Sequence, residues 1–200
     1  MKTRSTASPT YFTARWDEAR LRGLPFRGVL LVVDVRGQRL HVVKRGRVGA
    51  VYPVSTASRG IGSAADSGRT PPGWHVVASR IGKGLRRGSV LVSRRFTGEV
   101  LPREAWRSGG KRDVILTRIL RLRGLEPGVN RGSGVDSFAR YIYLHGTNQE
   151  HRLGRPARLL LQSFLNSLYC LNDILSMTEC RQSEKAFTTR SESGSRRTNN

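Results

Sequence analysis

From Arg27 to about Leu144 the chain keeps returning to one pattern, a short apolar run closed by Gly, Pro or Ser, and that pattern admits little except a mainly β fold. "GVLLVVDV" and "RLHVVKRG" flank a polar turn at Arg36-Gly37-Gln38 and predict a hairpin, which "RVGAVYPVS" extends into a meander. "GWHVVASRI" and "SVLVSRRF" predict further strands. "RYIYLH" alternates cleanly, which predicts a strand that ends on His145 at a sheet rim. "DVILTRILRL" fits an alternating and a helical period equally, so its type stays open. Ahead of the first strand, "ARWDEARLRG" predicts a short helix.

Charge narrows the partners. The chain carries 36 Lys and Arg against 14 Asp and Glu, a formal net charge of +22, which directs attention to anionic ligands. These residues are dispersed through strands and turns, without a recognition helix, zinc-ligand spacing or an aromatic RNA-binding signature. A solvated basic surface is the expectation, and nucleic acid is not favoured. The first 28 residues are basic but lack an apolar signal core, so no export address is expected from the chain as written. No run approaches the roughly 20 apolar residues of a membrane helix, so no transmembrane segment is expected. Cys170 and Cys180 are the only cysteines and can tie nothing but the tail.

Residues 55–73, "STASRGIGSAADSGRTPPG", make a small-residue loop. Gly60-Ile61-Gly62 lacks the Gly-Lys-Ser/Thr that would complete a phosphate cradle. Thr70-Pro71-Pro72-Gly73 is turn chemistry leading into the strand that begins at Trp74. Structural use is expected of both.

Taken in order, "VLLVVDVRGQRLHVV", "YPVSTA", "SGRTPPGWHVV" and "DSFARYIYLHGTNQEHRLGRPA" resemble the YkuD-type L,D-transpeptidase catalytic domain, from roughly Val29 to Ala157. The resemblance implies a β-sandwich that crosslinks peptidoglycan stem peptides through a cysteine acyl-enzyme, working in the periplasm or cell envelope without a cofactor or metal. In that chemistry a thiolate attacks a peptide carbonyl, an imidazole takes the thiol proton, and an amine resolves the thioester. His145 matches the family's base, with Gly146, Thr147 and Asn148 beside it on the substrate side. His41, His75 and His151 gain nothing from the resemblance and show no metal-ligand spacing, so they are expected as surface or strand residues.

After Ala157 the family continues with Ser or Thr and then His-Gly-Cys. This chain has Arg158, Leu159, Leu160 and Leu161, with leucine at the nucleophile's position. Composition changes at the same place: of 22 glycines only Gly194 follows Arg158, every proline and valine precedes it, and both cysteines follow it. A frameshifted or otherwise altered end and a natural fused tail both account for this seam. The expected organisation is a basic N-terminal extension over residues 1–26, an L,D-transpeptidase-like β domain over 27–157, a leucine-rich amphipathic helix over 158–177 and a disordered tail over 178–200. In the tail helix Leu161, Leu165, Leu168, Leu171 and Leu175 would share one face. The sandwich is expected to be C-terminally incomplete, with an unpaired edge, and the chain to be inactive. The alternative is a basic non-catalytic module that binds an anionic envelope polymer or nucleic acid. Such binding would weaken steeply with salt.

Overall fold

The computed structural model describes residues 9–24, 28–108, 112–156 and 164–165. A helix α1 (Pro9–Leu21) precedes the meander β1 (Leu30–Asp34), β2 (Arg39–Lys44) and β3 (Arg47–Ser55). After the small-residue loop come β4 (His75–Ile81), β5 (Ser89–Val92), β6 (Arg95–Val100), the short helix α2 (Arg103–Ser108), β7 (Ile115–Gly124) and β8 (Tyr143–Thr147). A 3-10 turn at Glu150–Arg152 and a two-residue strand β9 (Phe164–Leu165) complete the described elements. Hydrogen bonding runs β1-β2-β3-β9-β8-β7-β5-β6, with β4 on the far part of β7. The fold is mainly β, as the alternation predicts, and a sandwich, as the resemblance implies.

The main core lies where β2 and β3 face β7 and β8. Leu40, Val42 and Val54 meet Leu120 and Leu144 there, all nearly solvent-free. Alternation sends His41 and Val43 to the opposite face of β2, where α1 covers them. Phe12, Trp16 and Ala19 recur at four- and three-residue steps, which puts them on one side of α1, and Phe12 and Trp16 pack on Leu30 and Val43. The Phe12 ring lies 4.5 Å from that of His41. The predicted helix is therefore present, and it begins earlier than "ARWDEARLRG" indicated.

"DVILTRILRL" resolves as strand β7, and its ambiguous period has a local cause. The register with β8 slips between Leu116 and Ile119, and Thr117 adopts a left-handed φ of 65°. This irregularity buries Leu116, Ile119 and Leu120, a spacing of three and four that imitates a helix within a strand.

Turn residues carry the connections. Gln38 is 4% exposed, and its side chain donates to Val35 O and to Thr56 Oγ1 at 2.7 Å while accepting from Thr56 N at 2.8 Å. It locks the β1–β2 turn to the end of β3. The loop after β3 closes on itself, since Gly62 N donates to Thr70 O and Thr70 N to Gly60 O, while Arg140 donates to Arg69 O at 2.8 Å. Gly60-Ile61-Gly62 thus has a structural use. Asn130, with no exposed surface, binds the Pro-Pro-Gly turn to the β7–β8 connection: Nδ2 donates to Pro72 O at 2.9 Å and to Trp74 O at 3.1 Å, and Oδ1 accepts from Glu126 N at 2.9 Å. A Cβ at Gly73, whose φ is 88°, would strike the Glu126 carboxylate, and one at Gly124 would strike the Asn130 carbonyl. Glycine is needed at both for close approach.

Of the leucine-rich tail, expected to be helical over 158–177, only Phe164 and Leu165 are among the described residues. Phe164 and Leu165 are instead extended: Leu165 pairs antiparallel with Val54, and Phe164 with Ser55 on one side and, in parallel, His145 on the other. The cause is the unpaired backbone that β3 and β8 present to each other, which a short apolar segment satisfies as readily in a ladder as in a helix. The rest of the tail lies outside the described residues. Among the described residues no helix is long and apolar enough to cross a membrane.

Candidate functional site

His145 does not end its strand. Residues 136–141 form turns, with Ala139 N donating to Asp136 Oδ1 at 2.8 Å and Tyr141 at a φ of 57°, so β8 starts only at Tyr143 and runs on to Thr147. His145 stands at its centre, opposite Ile119 of β7 on one side and Phe164 of β9 on the other. It is 1% exposed, a buried residue rather than a rim residue.

The ring is oriented from its own strand. His145 Nδ1 lies 2.8 Å from Gly146 O, so in the neutral imidazole the proton sits on Nδ1 and the basic lone pair on Nε2. That tautomer is the one a general base needs, because the nitrogen that accepts a proton points away from the carbonyl that orients the ring. Asp113 reaches the same neighbourhood. Desolvation raises its carboxyl above the usual range, while the fields of His145 and Arg152 pull it back.

Thr147 and Asn148, expected on the substrate side, are each 2% exposed and engaged internally. Thr147 Oγ1 accepts from Gln149 N at 3.0 Å. Asn148 Oδ1 accepts from Val114 N at 3.1 Å and its Nδ2 donates to Arg112 O at 2.7 Å, so its amide clamps the backbone on both sides of Asp113. The clamp fixes the start of β7 against the end of β8. Leu161, Cys170 and Cys180 lie outside the described residues.

The small-residue loop after β3 is anchored near His145. Ser55 and His145 both pair with Phe164, and Ala57, two residues on, donates its N–H to Thr70 Oγ1 at 3.0 Å. Thr70 therefore has a bond that explains its place before the two prolines. Asn130, Gln38 and Asp113 were not singled out by sequence for these roles, since one amide or carboxylate within a turn has no period or spacing to betray it.

The other histidines fall apart chemically. His151 is exposed, His41 is buried under α1, and His75 in β4 has both ring nitrogens engaged, Nδ1 at 3.0 Å from Gly73 O and Nε2 at 2.9 Å from Ser137 Oγ. Burial is the main cause that lowers both His41 and His75 below the ordinary 6.5; Asp34 opposes it at His41, and Gly73 O and Glu126 oppose it at His75. The folded chain then binds fewer protons than the unfolded one, so stability present above pH 6.5 is lost as pH falls. We expect the melting temperature to drop from pH 7 to pH 5 and the His75→Gln variant to show a shallower drop. A flat profile over that window in the unaltered protein would contradict this.

Residues 28–163 match the family model YkuD, described as the L,D-transpeptidase catalytic domain. The match begins after α1 and runs through Leu161. No curated protein matches the chain.

Proposed function

The chain belongs to the L,D-transpeptidase catalytic domain family, and from that premise we propose that it is a peptidoglycan-directed member whose acyl-transfer step is lost because Leu161 stands at the nucleophile's position. The observation that carries this reading is the pairing of a prepared base with a missing nucleophile. His145 has its Nδ1 held by Gly146 O, which fixes the ring's tautomer, yet the first cysteine in the chain is Cys170, nine positions beyond Leu161. A leucine side chain has neither a proton to give nor a lone pair with which to attack a carbonyl. Leu159 and Leu160 replace the preceding His and Gly as well, so the local frame for a thiolate and its oxyanion is gone with it.

The test is direct. Purified protein is expected neither to exchange the terminal D-amino acid of a tetrapeptide stem nor to gain the mass of a carbapenem adduct. One equivalent of adduct located on Cys170 overturns the proposal, because the tail would then supply a substitute thiol.

A further inference from the structure

The face of β8 that carries His145 also carries Tyr143, two residues back, and around Tyr143 three guanidinium groups converge. Arg121 lies opposite Tyr143 in the β7–β8 register. Its Cζ sits 3.4 Å from the centre of the Phe138 ring and its Nη2 donates to Phe138 O at 2.9 Å. Arg123 lies 4.9 Å over the same ring. Arg94, in the β5–β6 turn, lies 4.8 Å over Tyr141, which is 46% exposed, and hydrogen-bonds the Tyr143 phenol.

Among the described residues no ion pair neutralises this group. The ion pairs among the described residues involve Glu18, Glu99 and Glu126, and none includes Arg94, Arg121 or Arg123. Arg121 Nε is buried with no hydrogen-bond partner among the described residues. Three like charges gathered without a counter-ion repel one another, and ring stacking offsets only part of that. Stacking also fixes the orientation: the flat faces rest on Phe138 and Tyr141 while N–H edges remain to bind an oxyanion.

We propose that Arg94, Arg121 and Arg123 form a carboxylate-recognition subsite for an acidic peptide, at the surface where Tyr141 and Phe138 lead into β8. The peptide rests on the family reading above; the carboxylate is read from the arginines. Nucleic acid fits less well, because base stacking needs open aromatic faces and guanidinium groups already occupy those of Phe138 and Tyr141. The cluster is also compact, whereas a polyphosphate is held by a track of cations.

Calorimetric titration of the 200-residue protein with a stem tetrapeptide carrying free side-chain carboxylates, and with the same peptide amidated at those positions, tests the subsite. The free form is expected to bind about tenfold more tightly, and Arg94→Gln combined with Arg123→Gln to erase most of the difference. Arg121→Lys, which keeps the charge but loses the fork and the stacking, is expected to weaken the free form alone. Melting curves of each variant exclude unfolding as the cause. Equal affinity for both peptides removes the subsite and leaves the family reading intact; failure of both peptides to bind removes both. Oligonucleotide binding that exceeds peptide binding and falls in the same variants would make the partner a polyphosphate and overturn the proposal.

Discussion

Replacing Arg158, Leu159, Leu160 and Leu161 by Ser, His, Gly and Cys is expected to turn a chain with no acylation into one that takes up a carbapenem to one equivalent. The argument runs from what is already in place. His145 is held by two flanking strands, its Nδ1 is bonded to Gly146 O, and Asn148 clamps the neighbouring backbone, so the proposed base has a fixed position before any nucleophile arrives. What is absent is a thiol and the small, polar frame that lets a thiolate approach a carbonyl. Adding His145→Ala to the four replacements should slow acylation roughly 10²–10⁴-fold, the usual contribution of a positioned base. It should also flatten the pH dependence of the rate. If the four-residue variant melts like the parent and still forms no adduct, then placing the nucleophile at 161 is wrong.

The second large effect is on stability. Asn130→Ala removes one side chain and leaves Pro72 O, Trp74 O and Glu126 N short of a partner, all within the packed junction between the Pro-Pro-Gly turn and β7. Each buried polar group left unpaired costs about 1–3 kcal/mol, although Trp74 O keeps its bond from Leu125 N, so a loss of about 3 kcal/mol is expected. For a chain of this size that lowers the melting temperature by about 10 °C. Asn130→Asp should do no better, since a carboxylate cannot donate to two carbonyls and would face Glu126 Oε2, which the amide now approaches at 3.5 Å. Val129→Ala, at a residue 43% exposed, serves as the control and should shift the transition little. A change of under 2 °C in Asn130→Ala would show that the junction is held by something else.

The β class was legible because alternation in "RLHVVK" and its neighbours is a property of each strand alone. Leu40 and Val42 enter the core and His41 and Val43 turn the other way, as a period of two requires. "DVILTRILRL" was not legible, because the irregularity around Thr117 depends on β8 lying alongside and leaves no mark in local composition. His145 was found by its ordered neighbours in the chain, but its depth was missed. Burial at that position comes from Ile119 and from Phe164, both distant in sequence. Asp113 was missed for the same reason, since proximity to His145 is produced by the clamp at Asn148 rather than by any spacing.

Among the described residues, sheet continuity between β3 and β8 passes through Phe164 and Leu165, whereas every other strand has at least four residues. Chain closure over the hundred-odd residues back to Val54 costs little more than closure over half that distance, about 0.6 kcal/mol for each doubling. The weak link is thus the shortness of the ladder and not the length of the loop. If β9 detaches, the meander and the β4–β8 assembly each keep their own pairings and stay joined by Leu40, Val42, Val54, Leu120 and Leu144. Opening at the seam would then bare the histidine's flank, and amide protons in β2 and β7 are expected to stay protected from exchange with solvent while it does.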